Sequence, residues 1–300
     1  MDTIHSKVKM KNTPIVSITI GIITFRRCES LKRCLASIDS SVDIVKKHSI
    51  RISVIVVEDS IDGNFCEINR SSLHFELAHI KNEMKIGVAE SRNKILDKAD
   101  GDFLLFIDDD NEIDKMMIAE LVNFTRSHEF GVVGPQAFSQ NFVRKTYSGI
   151  KRTRFFGRNL EVYSNAPFFE VDDVQNCFLF NLKEARNNSI RFDPKFIHEI
   201  GLFCLKFKKL GKKNFIVNSA KTIHHNKDGH FTLASFGFAW FARSRVWKEE
   251  GNIFPLILSP LSVLVYDIFY ILRYTEHISI HSGVMAIVRS YLNTLKGLLE

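Results

Sequence analysis

Over the first half of the chain, apolar residues fall in short, mainly β-branched runs separated by amphipathic stretches. Ile15 to Ile23 is such a run, ending at Thr24-Phe25-Arg26, and it predicts a strand buried on both faces. Ser30 to Ser41 places Leu31, Cys34, Leu35 and Ile38 on one helical face. Ile50 to Val57 predicts a second strand that stops at Glu58-Asp59-Ser60, with a turn at Asp62-Gly63-Asn64. Phe75 to Ile80 predicts a short third strand. Val88 to Ala99 reads as a helix after Gly87, and Phe103 to Ile107 as a strand running straight into Asp108-Asp109-Asp110. Lys115 to His128 predicts a helix and Gly131 to Gly134 a strand.

Strands and helices thus alternate to about residue 135, the pattern of an α/β domain with a mostly parallel sheet and right-handed crossovers. Such sheets bind ligands beyond the carboxyl ends of their strands. Polar clusters sit at three of those ends: Thr24 and Arg26, Glu58 and Asp59, and the aspartate triplet. From Gln140 to Arg158 the pattern breaks. Arg144, Lys145, Lys151, Arg152, Arg154 and Arg158 occur there without an acidic residue, which predicts a mobile basic loop or hairpin. Regular structure resumes from Val174 to Leu182, and Leu202 to Leu210 predicts a helix capped by Gly211. Phe215 to Val217 predicts a short strand with a turn beyond it.

After Gly229 the chain becomes aromatic and basic, then strongly apolar. The division expected is a polar segment over 1–13, a catalytic domain over 14–228 and a helical, membrane-associating extension over 229–300. Ile253 to Leu272 is apolar apart from Ser259, Ser262 and Asp267, and Pro255 and Pro260 would bend it. A spanning helix needs about 20 apolar residues. With Arg243, Arg245, Lys248 and Arg273 alongside, the segment predicts a helix lying on an anionic membrane surface. A buried helical subdomain or a face for a homo-oligomer is the alternative.

The bulk numbers narrow the partners. Hydrophobic residues make up 45% and charged residues 25% of 300, a globular composition. The net charge of +7 favours an acidic partner, but no nucleic-acid-binding signature is present, so nucleic acid is not expected. The five cysteines, Cys28, Cys34, Cys66, Cys177 and Cys204, form no CxxC pair and are odd in number. They predict free thiols in a reducing cytoplasm, with neither a disulfide framework nor a zinc site. The first 13 residues lack the apolar core of a signal peptide, so the expected location is cytoplasmic, peripheral on the membrane.

Asp108-Asp109-Asp110 carries the strongest chemical signal. Carboxylates two apart after a buried strand can hold one hard cation together with a diphosphate. Mg²⁺ or Mn²⁺ bound this way stabilises a departing nucleoside diphosphate.

With these motifs in order, the chain resembles glycosyltransferase family 2, the inverting enzymes of the GT-A fold. The resemblance rests on Val16 to Ile20 leading to Thr24-Phe25-Arg26, on Val56-Val57-Glu58-Asp59-Ser60, on Gly87-Val88-Ala89-Glu90-Ser91-Arg92-Asn93, and on Asp108 to Asp110, and it spans roughly Thr13 to Asp228. It implies a Rossmann-like, mostly parallel sheet with flanking helices. It implies a nucleoside-diphosphate sugar donor, a UDP-sugar above others, and a divalent cation. Asp59 would accept from the base N–H, with Thr24, Arg26 and Glu58 around the same pocket. Arg92 would face the nucleotide or diphosphate. Asp108 would touch ribose or metal with Asp109 beside it, and Asp110 would bind metal.

The same resemblance places a catalytic base just before a helix that ends in glycine. Here the family's Glu-Asp pair reads Glu199-Ile200, with Gly211 ending the helix. Glu199 is the expected base, with His198, Asp172 and Asp173 as further candidates. A third metal ligand would come from His224 or His225, and an imidazole suits Mn²⁺. The activity expected is transfer of one sugar to a glycan or a lipid-linked, surface-polysaccharide acceptor. Two alternatives stand beside it: a catalytically inactive assembly partner at the membrane, for which Ile200 speaks, and a sugar-1-phosphate nucleotidyltransferase, against which the glycine-free turn at Thr24 to Arg27 speaks.

Overall fold

The computed structural model describes residues 14–139, 144–145, 148–153, 159–175, 177–195, 199–225 and 246–251, together with Val288 and Leu292. The expected membrane-facing segment 253–272 and residue His198 lie outside these. No helix among the described residues is long and apolar enough to cross a membrane.

In chain order the elements are β1 (Val16–Phe25), α1 (Cys28–Asp39), α2 (Val42–Lys47), β2 (Ile50–Asp59), β3 (Glu76–Asn82), α3 (Val88–Lys98), β4 (Phe103–Phe106), β5 (Asn111–Ile113), α4 (Met117–Thr125) and β6 (Val132–Ser139). There follow β7 (Arg144–Lys145), β8 (Gly149–Arg152), β9 (Asn159–Val162), β10 (Phe168–Val171), β11 (Asp173–Val174), β12 (Phe178–Asn181), α5 (Leu182–Asn187), α6 (Glu199–Lys209) and β13 (Asn214–His224). The large sheet runs β10-β13-β6-β12-β4-β1-β2-β3, with β5 paired to β13 and β7 to β6. Strands β3, β2, β1 and β4 are mutually parallel, and β13 is parallel to β6. The antiparallel β12 sits between β4 and β6. This is the mostly parallel α/β sheet that the alternation predicts.

The apolar runs lack a polar alternate because both faces of the sheet are covered. Val54 and Val56 of β2 join one core with Ile18, Ile20, Leu31, Leu35, Met117 and Leu121. Their neighbours Ile55 and Val57 join the other with Ile95, Phe106, Phe178, Phe180 and Phe203. Many of the abundant phenylalanines stack in this second core. The rings of Phe192 and Phe203, for example, lie parallel with centroids 4.1 Å apart.

Three expectations need correction. First, Cys28 and Cys66 are joined as a disulfide, while Cys34, Cys177 and Cys204 are free and buried. The two cysteines are 38 residues apart, so spacing alone does not pair them. They meet because β1 and β2 are in register to their last residues, with Phe25 opposite Asp59, and the segments beyond those ends leave side by side. Second, the strand expected over Phe215 to Val217 continues to His224. A register shift between Val217 and Lys221 absorbs the polar residues that look like a turn. Third, of the two forms expected for the basic stretch, the hairpin is present and the mobile loop is not what surrounds Arg152: β8 pairs antiparallel with β9 and forms a small sheet with β11, and the Arg152 side chain is only 6% exposed.

Arg152 contacts Asp173 through Nη1 and Glu250 through Nη2 (2.7 Å), and its backbone N–H donates to Asp172 Oδ2 at 2.7 Å. Asp172 is in turn bound by Lys208. The acids that the basic stretch lacks in sequence are thus supplied by β11, its preceding residue and the helical segment 246–250. Burial acts to raise the Asp172 carboxyl, but Lys208 and the Arg152 amide outweigh it and hold it below the usual range.

Two outcomes follow from this packing. A Cβ at Gly134 would lie 2.3 Å from Val174 Cγ1 and 2.7 Å from the Cys177 carbonyl oxygen. Gly134→Ala is therefore expected to lower unfolding free energy by roughly 1–3 kcal/mol in urea denaturation. Arg152→Leu would leave Asp173 and Glu250 without their buried cation, and a loss of roughly 3–5 kcal/mol is expected in the same measurement. A loss below about 1 kcal/mol would show that the ion cluster is dispensable.

Candidate active site

The carboxyl ends of β1, β2 and β4 and the end of β13 converge on one side of the sheet. After β4 the chain passes Asp108 to Asp110 and doubles back as β5, which pairs antiparallel with β13 so that Asn111 lies opposite His224. This return brings the histidine to the aspartates: His224 Nε2 lies 3.3 Å from Asp110 Oδ1. His225 is turned elsewhere, with its ring on Glu112 Oε2 at 2.9 Å while its amide donates to the Asp110 carbonyl. The backbone thus separates two histidines that are equivalent in sequence.

Each aspartate of the triplet has a different surrounding. Asp109 is buried, accepts from Thr24 Oγ1 at 2.6 Å and from Arg27 Nη1 at 3.1 Å, and burial pushes its carboxyl up. Asp110 is drawn up by burial, but His224 and Arg27 outweigh that and hold it below the ordinary value. The Asp108 side chain is about a third exposed and binds Arg92 Nη2 at 3.2 Å. Loss of hydration among the surrounding groups, reinforced by Asp110 and Asp109, pushes its carboxyl up to about 6 despite Arg92.

Arg92 is buried, not a surface residue of α3. Its guanidinium carbon lies 5.4–5.7 Å from the ring centroids of Phe178, Phe192 and Phe106. One Nη reaches Asp108 and the other contacts Glu199, which is itself buried at the start of α6. Nε has no protein partner among the described residues. Asn93 fixes the segment before α6 by two hydrogen bonds with the Phe192 backbone, each 2.9 Å. Ile200, at the family's aspartate position, packs against the second core.

The polar groups at the ends of β1 and β2 are also tightly bonded. Asp59 accepts from Asn82 Nδ2 at 2.8 Å and from the Ile86 and Gly87 amides at 3.1 Å, so it positions the turn before α3. Gly87 there has φ +91°, a conformation open to glycine. Glu58 is buried, accepts from the Cys66 amide at 3.0 Å and contacts His79 Nε2 at 2.8 Å. Arg26 is exposed, pairs with Asp62 and lies over Phe25, which Lys85 also covers at 4.9 Å. Thr24 faces the metal-type aspartates, not open pocket. The Asp173 carboxylate contacts Arg152 and lies beside Gly201 of α6, two residues from Glu199.

Sequence reading missed Arg27. It bridges Asp109 and Asp110 with one Nη at 3.1 Å to each, from a side chain that is 57% exposed. The available signal was a second arginine at the end of β1. For a metal, the donor chemistry of Asp108, Asp110 and His224 suits a hard or borderline cation. Their atoms do not close into a preformed cage: among the described residues, the one group of three such ligands within 4.8 Å is Cys28, Glu58 and Cys66. An open arrangement fits a cation that completes its shell with substrate phosphates.

The family model described as glycosyl transferase family 2 matches residues 19–186, more than half of the chain. A Haemophilus influenzae protein described only as uncharacterized is 28% identical over 141 residues, 44% of this chain and 71% of its own. Among solved structures, a mannosyltransferase from Pyrobaculum calidifontis, in complex with GDP-Man and Mn²⁺, aligns with a TM-score of 0.58 at 12% identity, over 94% of this chain and 88% of that one. GalNAc-T7 with UDP, GalNAc and Mn²⁺ aligns at 0.56 and 13% identity, over 78% of this chain, which spans 48% of that longer protein. A fragment of S. aureus TarS in complex with UDP-GlcNAc aligns at 0.54 and 14% identity, over 94% and 89%. These likenesses share the GT-A-type sheet described above. The span of the family match, carrying the β1 end, the Arg92 helix and the aspartate triplet together, places this chain in glycosyl transferase family 2.

Proposed function

We propose that the chain transfers a single sugar, with inversion, from a nucleoside-diphosphate sugar to a hydroxyl of a glycan or lipid-linked acceptor. The observation that carries this reading is Arg92. One buried guanidinium holds Asp108, on the donor side, and Glu199, at the head of the helix on the other side. Family membership and the cation- and nucleotide-containing neighbours support the donor class.

Mn²⁺ or Mg²⁺ would be held by Asp110 and His224 with Asp108 close by, and when bound would supply Lewis-acid stabilisation of the leaving diphosphate. Arg27, whose long side chain is half in solvent, occupies the edge of that carboxylate cluster and would turn to the diphosphate oxygens, to which a guanidinium fork is suited. Glu199 is acceptor-only when ionised and stands where Arg92 orients it, so it would take the proton of the attacking hydroxyl. Asp173 shares its region but is committed to Arg152, which favours a supporting role. Asp59 and Glu58 would shape the base pocket through the turns they hold. A UDP-sugar donor is what the family resemblance implies, and peripheral attachment through Ile253 to Leu272 with Arg243, Arg245, Lys248 and Arg273 rests on the sequence pattern.

Asp110→Ala is expected to abolish Mn²⁺-dependent binding of UDP in calorimetry with the fold retained. His224→Ala should weaken the same binding, and His225→Ala should leave it unchanged. Undiminished binding by the Asp110 variant would move the cation elsewhere. Glu199→Gln should keep UDP binding while lowering turnover by roughly two to four orders of magnitude. Near-normal turnover would transfer the role of base to Asp172, Asp173 or His198.

A further inference from the structure

We propose that Cys28 and Cys66 form a thiol–disulfide exchange site that reacts with a dithiol reductant, and that its oxidation state sets the position of Arg27 at the Asp109–Asp110 pair. The second half of this statement bears on activity only through the nucleotide-sugar reading above.

Three consecutive residues at the end of β1 are each fastened to a different part of the cleft. Arg26 pairs with Asp62 in the segment after β2, Arg27 bridges Asp109 and Asp110, and Cys28 is covalently bound to Cys66. The turn they form is not a relaxed one, since Arg26 has φ +58° without being glycine. The two ion pairs are weak tethers: Arg26 and Asp62 are 50% and 45% exposed, and Arg27 is more than half exposed. The disulfide is the covalent tie on this turn, which is otherwise held by the Leu31 amide donating to the Arg27 carbonyl at 2.9 Å and by the two exposed ion pairs.

The two sulfurs are unequally placed. Cys28 is partly buried against the core, whereas Cys66 is sealed, so of the two it is Cys28 that offers a solvent-side approach. Cys66 is also held without its sulfur, because its amide donates to both Glu58 oxygens at 3.0 Å and Glu58 is backed by His79. The body of α1 keeps its place through Leu31, Cys34, Leu35 and Ile38 in the core. Opening the pair would thus free the Cys28 side chain and the adjoining Arg26-Arg27 turn, while Cys66 and the core-packed part of α1 from Leu31 onward stay where they are.

The exchange balances as follows. A thiolate of the dithiol attacks Cys28 Sγ, and a new S–S bond forms as the Cys28–Cys66 bond breaks with its electron pair on Cys66, which takes a proton. The second thiol of the same dithiol then attacks its own mixed disulfide and releases Cys28, which is protonated in turn. Two electrons and two protons pass to the chain, and the dithiol becomes a disulfide.

The test uses the full chain, oxidised, treated with dithiothreitol, and as the Cys28→Ser/Cys66→Ser double variant. After dithiothreitol, N-ethylmaleimide under native conditions should modify Cys28 but not the buried Cys66, Cys34, Cys177 and Cys204, with the circular dichroism unchanged. Hydrogen exchange in a peptide covering residues 24–30 should quicken at least threefold in the reduced chain and in the double variant, with 31–39 unchanged. UDP affinity with Mn²⁺ should fall three- to tenfold in both, and Arg27→Ala should remove the difference between oxidised and reduced forms. The proposal is overturned if the disulfide resists dithiothreitol until the domain unfolds, if reduction itself unfolds the domain, or if exchange over 24–30 does not change. It is also overturned if oxidised and reduced chains bind UDP equally. Failure of every form to bind UDP would instead sink the nucleotide reading, and alkylation and hydrogen exchange would still decide the exchange site.

Discussion

A guanidinium buried among three phenylalanines cannot shed its charge, so the structure around Arg92 has to provide anions at fixed positions. Asp108 and Glu199 are those anions. They come from the end of β4 and the start of α6, which are some ninety residues apart in the chain. Removing Arg92 would leave two carboxylates facing each other without their cation, which is strongly unfavourable. The cleft therefore closes around this arginine, and the residues that position it, Asn93 on the Phe192 backbone and the aromatic rings themselves, become part of the site.

A second constraint is the parallel sheet. Because β1, β2 and β4 run the same way, their polar ends accumulate on one edge, and like charges crowd there. Burial raises Asp108 and Asp109, while Arg27 and His224 keep Asp110 low. Three adjacent carboxyls thus differ in proton affinity for reasons of environment alone. The same edge explains the disulfide: neighbouring strands ending at the same level bring Cys28 and Cys66 within bonding distance, next to the turn that carries Arg27.

The alternation of apolar runs and amphipathic stretches was enough to read the sheet, its strand ends and the family, because periodicity and local motif are short-range properties. Asp108 to Asp110 followed from a buried strand stopping at three acids. Long-range pairings were not legible. Arg152 reads as part of a mobile basic loop or hairpin, and only the fold shows β11 and residues 246–250 surrounding it with acids. Thr24 and Asp59 stand at strand ends in the sequence, and only the folded chain shows that they also bond Asp109 and the turn before α3.

Within the primary structure, then, lay the α/β class, the order of the elements and the residue types able to hold a cation and a diphosphate. Those follow from hydrophobic spacing and from which side chains stand at strand ends. The assembled fold alone separated His224 from His225, because β5 pairs back onto β13 and turns one ring inward. It alone joined Arg92 to Glu199 and Cys28 to Cys66. Contacts between residues tens of positions apart depend on strand register and crossover geometry, and no local pattern in the chain encodes the distance between two such side chains.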